Sequence, residues 1–117
     1  MQLRMSTRTL DGVMLVDCSG RIVFGEESAT LRDMVKKLVA KNANIVLNLR
    51  EVNFIDSGGL GTLVSLYTTA RNAGGAVKLA SLSQRVGDLL QLTKLHTVFE
   101  VFENEEEAAH SFKTNAA

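Results

Sequence analysis

The residues of this chain whose types and spacing could do chemistry are concentrated in one run, Asp56-Ser57-Gly58-Gly59-Leu60-Gly61. A serine hydroxyl beside a carboxylate admits three chemistries. As a nucleophile it needs a positioned general base, usually histidine. The two histidines, His96 and His110, both lie in the C-terminal third on separate predicted elements, and the surroundings are not those of a G-x-S-x-G elbow. As a phosphate cradle, Gly58-Gly59-Leu60-Gly61-Thr62 lacks the lysine and spacing of a P-loop, so helix amides and dipole alone would hold the anion. As an acceptor, Ser57 would take a phosphoryl group from a kinase and gain a charge of about −1.5 to −2 beside Asp56. On a docked, partly apolar surface that charge costs desolvation and like-charge repulsion, so a partner would leave without the domain unfolding.

The same run has a purely structural reading. Asp56 or Ser57 can accept a hydrogen bond from the orphan amides of a helix start, and the glycines then let backbones pack closely. A cap needs only one such residue, whereas Gly58, Gly59 and Gly61 each cost up to about 1 kcal/mol inside a helix. Something must approach this backbone closely, and at this level both readings stand.

The elements that must position the run follow from periodicity. Gln2 to Leu10 alternates loosely, Asp11-Gly12 is a two-residue hairpin signal, and Val13 to Cys18 is β-prone, which predicts an antiparallel hairpin. After Ser19-Gly20-Arg21 and the short extended piece Ile22-Val23-Phe24, the residues Leu31, Met34, Val35, Leu38 and Val39 mark one face of a helix. Ile45 to Leu49 is a near-continuous apolar run, the pattern of a strand covered on both faces. A loop is expected from Arg50 to Asp56. Leu60, Leu63, Val64, Tyr67 and Arg71 trace a second helix that stops near Gly74-Gly75.

Val77 to Ala80 reads as a strand, and Ser83 as the cap of a third helix that buries Val86, Leu89, Leu90 and Thr93. Val98 to Phe102 alternates as an edge strand. Asn104 and the acidic trio Glu105 to Glu107 open a last helix carrying Ala108, Ala109 and Phe112, with the carboxylates at its positive end. The fold class is therefore α/β, a mixed sheet of about four to five strands with about four helices. It puts the serine run where a buried strand gives way to a helix, the crevice end of open α/β sheets.

Composition bounds the functions. The 117 residues suit one domain, 1–117, with a loose tail at 114–117. With 45% hydrophobic and 22% charged residues the chain reads as an ordinary globular protein. Lysine plus arginine equals aspartate plus glutamate at 13 each, so no bulk positive field attracts nucleic acid or an anionic membrane. A single cysteine, Cys18, permits neither an internal disulfide nor a thiolate zinc cluster, and it reads as a small strand residue in a reducing compartment. No apolar stretch approaches the roughly 20 residues of a membrane span. A cytoplasmic protein is expected, without cofactor or metal.

The strand Ile45 to Leu49, the turn Phe54-Ile55-Asp56-Ser57-Gly58-Gly59-Leu60-Gly61, the later run Leu82 to Leu95 and the terminal Glu105-Glu106-Glu107-Ala108 together resemble STAS domains. Within them the likeness is to the stand-alone bacterial anti-sigma factor antagonists, from about Arg8 to Phe112. The resemblance implies partner switching. An unphosphorylated antagonist binds an anti-sigma factor that is also a serine kinase, which frees a sigma factor. Phosphorylation ejects the antagonist, and a serine phosphatase restores it.

In that scheme Ser57 is the acceptor and Asp56 the preceding acidic residue, while Gly58, Gly59, Leu60 and Gly61 start the docking helix. Arg21 stands near that helix start, as a contact for an acidic partner surface or a nucleotide phosphate, or simply as a solvated arginine after a strand. The protein would be a substrate and ligand with no catalysis of its own. The alternative implied by the same resemblance is a constitutive STAS subunit of a membrane transport complex. Two positions depart from the family pattern. Many members carry a second serine where this chain has Gly58 or Gly59, and Lys94 stands where members often have glycine.

Overall fold

The computed structural model describes residues 3–114; Gln2 of the expected first strand and positions 115–117 of the expected tail lie outside them. One five-stranded sheet organises the molecule, in the order β1 (Arg4–Leu10), β2 (Val13–Ile22), β3 (Asn44–Ile55), β4 (Ala76–Ala80), β5 (Val101–Phe102). β1 runs antiparallel to β2, and every later pair is parallel. The hairpin turns on Asp11 and Gly12, both at positive φ, as a two-residue turn matched to strand twist requires.

Each parallel strand is added on the same side of its predecessor. Right-handed crossovers then place the connecting helices α1 (Glu26–Val39), α2 (Ser57–Asn72) and α3 (Gln84–Leu92) on one face. The core agrees: Leu31 and Val35 of α1, Leu63 and Leu66 of α2 and Val86 and Leu90 of α3 share a cluster with Val16, Ile45, Leu47, Val77 and Leu79. The intervening residues Val13, Leu15, Val46 and Ala80 point to the other face, which Ala108 and Ala109 of α4 (Glu105–Thr114) cover. Both faces of the central strands are thus buried, which is why Ile45 to Leu49 reads as a continuous apolar run. α4 runs as far as Thr114.

Three expectations require correction. Arg50 to Ile55 continues β3 rather than forming a loop, pairing with β2 as far as Ile22 opposite Ile55. β4 accompanies β3 only from Asn44 to Asn48, so the later half of β3 has one uncovered edge, and Arg50, Glu51, Asn53 and Phe54 are exposed. That mixture of polar and apolar residues disguised a strand. Ser19-Gly20-Arg21 likewise belongs to β2, which absorbs two register shifts there. Finally, only Val101–Phe102 is strand in the Val98 to Phe102 run. Leu95–Thr97 is a short 3₁₀ turn, and Phe99 is drawn into the helix-side core, its ring edge-on to Tyr67 at 5.4 Å.

Caps fall where side-chain chemistry places them. Ser83 accepts from the Val86 amide at 3.4 Å and donates to the Val52 carbonyl at 2.9 Å, stitching α3 to the bare edge of β3. Asn104 accepts from the Glu107 amide at 2.8 Å. Arg8 of β1 joins Asp17 of β2 and Glu105 of α4.

Candidate functional site

β2 and β3 project together beyond β4, and the segments that leave their C-terminal ends meet. Asp56 is the joint. Its amide donates to the Ile22 carbonyl at 3.4 Å. One carboxylate oxygen caps α2 by accepting from the Gly59 amide at 2.7 Å, and the same group accepts from the Phe24 amide at 3.2 and 3.3 Å. The capping question left open by sequence is therefore answered by Asp56, and Ser57 stands free as the first residue of the helix. Ser57 is exposed, and its hydroxyl has no hydrogen-bond partner among the described residues.

The three glycines separate into two kinds. A Cβ on Gly58 would lie 2.4 Å from the Cβ of Phe24, and one on Gly59 would lie 1.9 Å from the Ile22 carbonyl oxygen. These two are required by the molecule's own packing of α2 against the end of β2. Gly61 has nothing within 4 Å of its would-be Cβ and is exposed. It follows Ser57 by one helical turn, on the same side of α2. Leu60 is buried in the core at 8% exposure, so along this turn Ser57 and Gly61 face outward while Gly59 and Leu60 face inward. Phe24, 82% exposed beside Gly58, adds an apolar ring to the same surface.

Arg21 lies in β2 opposite Phe54 and borders a cavity with Asn53, Ser83 and Arg85. Sequence reasoning did not single out Phe24 or Arg85. Phe24 looks like an ordinary strand residue, and Arg85 like a solvated helix residue. Neither histidine is placed to activate Ser57. His110 is on α4, across the sheet from α2, and His96 sits in the turn after α3 with Nδ1 3.4 Å from the Leu90 carbonyl oxygen. Among the described residues no three His, Cys, Asp or Glu side chains are grouped to hold a metal, and no helix is long and apolar enough to cross a membrane.

What the arrangement offers is an exposed hydroxyl at the positive end of a helix, held by a preformed carboxylate cap and ringed by small and apolar surface. A phosphoryl group on Ser57 would sit favourably at that helix end, since amide dipoles there attract anions. The fold itself would tolerate the modification.

Comparison with known proteins places the architecture. The chain is 26% identical over 102 residues to the anti-sigma-B factor antagonist of Bacillus subtilis (strain 168), covering 86% of this chain and 92% of that protein. Its fold matches an anti-sigma factor antagonist from Mycobacterium paratuberculosis with a TM-score of 0.75 at 23% identity, over 94% of this chain and 93% of the other. It also matches the phosphorylated form of the Bacillus cell fate determinant SpoIIAA with a TM-score of 0.70 at 17% identity, over 93% and 99% of the two chains. The STAS domain model matches residues 4–108, and the chain belongs to the STAS domain family.

Proposed function

We propose that this protein is a cytoplasmic anti-sigma factor antagonist that works by partner switching. In its unmodified form the outward face of α2, with Ser57 and Gly61, docks on an anti-sigma factor that is also a serine kinase, and so frees a sigma factor. Phe24 and Arg21 extend that contact, the first as an apolar anchor and the second toward acidic groups. Phosphorylation of Ser57 ends the complex, and a serine phosphatase restores it.

The observation that carries this reading is the isolation of the Ser57 hydroxyl. It is exposed at a helix start that Asp56 already caps, so capping leaves it no task, and neither histidine is placed to make it a nucleophile. An added charge of about −1.5 to −2 is tolerable to the helix end but not to an interface that must desolvate it beside Asp56. The relative from Bacillus subtilis carries the antagonist name, and a fold neighbour is known in a phosphorylated form.

Phosphosite mapping by mass spectrometry of the native protein tests the first step, with Ser57 the expected site. Capture of the anti-sigma kinase by variants tests the second: Ser57→Ala should hold it persistently, and Ser57→Asp should bind at least tenfold more weakly. Equal capture by both variants and the parent would rule the switch out. An unmodified Ser57 with a copurifying transporter ATPase would instead assign the chain to a membrane transport complex.

A further inference from the structure

Two cavities adjoin at Phe54 and Arg85, on the side of β3 that β4 leaves uncovered. One, of about 600 Å³, is lined by Arg21, Asn53, Phe54, Ser83 and Arg85. The other, of about 300 Å³, is walled chiefly by Phe54, Ile55, Val86, Leu89 and Leu92 and touches Arg85. The first is basic and the second apolar. Together they reach the size range of small-molecule sites, about 300–1,000 Å³.

Three further features point to an occupant with a charged head. The Nε of Arg21 is closed off from solvent and donates to nothing among the described residues, although buried polar groups are nearly always satisfied. Neither Arg21 nor Arg85 has a carboxylate within ion-pair distance among those residues. The Ser83 hydroxyl is already committed to the Val86 amide and the Val52 carbonyl, so the arginines are the groups left to meet an anion. The apolar half is equally unpartnered, with Leu92 80% and Phe54 38% exposed. Asp88 borders the apolar cavity and repels an anionic head there, which leaves the Arg21 end as the place for the charge.

We propose that this cleft binds a small organic anion with an apolar tail, its oxyanion head held by Arg21 and Arg85 and its short tail laid against Phe54, Leu89 and Leu92. Planar guanidinium groups suit carboxylate and phosphate oxygens, which they engage through paired N–H bonds. The site lies apart from the phosphoacceptor hydroxyl and does not depend on Ser57 being modified, but it shares Arg21 with the proposed partner contact, so a bound anion would compete with the partner's acidic groups for that side chain.

The test is titration of the ¹⁵N-labelled full chain with octanoate and with octyl phosphate, followed by amide shifts, with octanol and acetate as the headless and tailless controls. Saturable shifts are expected at Arg21, Phe54, Arg85 and Leu89, with both controls at least tenfold weaker; the better of the two anions identifies the head group. The Arg21→Gln/Arg85→Gln double variant, with an unchanged far-UV circular dichroism spectrum, should lose at least tenfold in affinity. If that variant does not fold, Arg85→Gln alone, at an exposed position, should lose at least threefold. Octanol binding as well as octanoate, shifts that fail to saturate or fall elsewhere, or variants that bind like the parent would overturn the proposal.

Discussion

The turn before α2 separates residues that the fold requires from residues that it merely permits. Gly59→Ala drives a Cβ to within 1.9 Å of the Ile22 carbonyl oxygen, backbone that cannot yield without moving β2. A loss of about 3 kcal/mol is expected in urea denaturation. Gly61→Ala meets open space and should raise stability by about 0.5–1 kcal/mol through helix propensity, while weakening capture of the anti-sigma factor if that bare face is the docking surface. Stability and binding moving in opposite directions at Gly61 would distinguish docking from packing. Lys94 is a second informative position. It lies two residues past the end of α3, in the left-handed region at φ 63°, with its amide donating to the Gln91 carbonyl at 3.1 Å. Glycine adopts that conformation without a Cβ penalty. Lys94→Gly should therefore gain about 0.5–1 kcal/mol, read as a rise of a few degrees in Tm.

Among the elements, α4 is attached in a way that periodicity does not reveal. Lys78 of β4, only 2% exposed, lies beneath it, with Nζ 2.7 Å from the Ser111 hydroxyl, 3.3 Å from a Glu100 carboxylate oxygen and 4.2 Å from the centre of the Phe112 ring. Lys78→Ala removes the packed stem as well as the charge and should cost about 2–4 kcal/mol. Lys78→Met keeps the stem and should cost about 1 kcal/mol or less, because a buried charge brings its own desolvation penalty. Amide exchange along α4 would show which variant loosens the helix. In the sequence, Val77-Lys78-Leu79-Ala80 is legible as a strand, yet nothing in it marks the lysine as buried, since its ring and hydroxyl partners come from residues more than twenty positions later. The same limit explains the other misreadings. Ile45 to Leu49 is recognisable because helices cover both faces, whereas Arg50 to Ile55 has lost β4 as a neighbour and so lost the apolar density that signals a strand. At the site, the Asp-Ser-Gly-Gly pattern located the helix start, but the choice of Asp56 as cap depends on the Phe24 amide 32 residues earlier, a contact that spacing cannot supply.

For the molecule as a whole, Cys18 is a built-in reporter of opening. It is 3% exposed in the helix-side core, and burial, with a smaller contribution from the Asp17 charge, pushes its thiol up to about 12. The unfolded thiol releases its proton near 9, so between these values the native state holds a proton that the unfolded state has lost. The Cys18 thiol therefore contributes no pH dependence to stability below about pH 9 and lowers stability as pH rises toward 12. At pH 8 a thiol reagent should label the folded protein slower than the urea-unfolded chain by a factor of about 10³ or more, the scale set by folding equilibria. Fast labelling would mean that the helices and sheet separate more readily than their shared core implies. A different consequence follows from the double attachment of the Asp56 carboxylate to Phe24 and Gly59. With two strand exits tied to one side chain, Ser57 and Phe24 hold their relative positions before any partner arrives. The entropy of ordering them is lost during folding rather than at encounter. Association would then be limited by diffusion and orientation instead of loop closure, and loss of the Asp56 carboxylate would slow the on-rate even where the final complex keeps every contact.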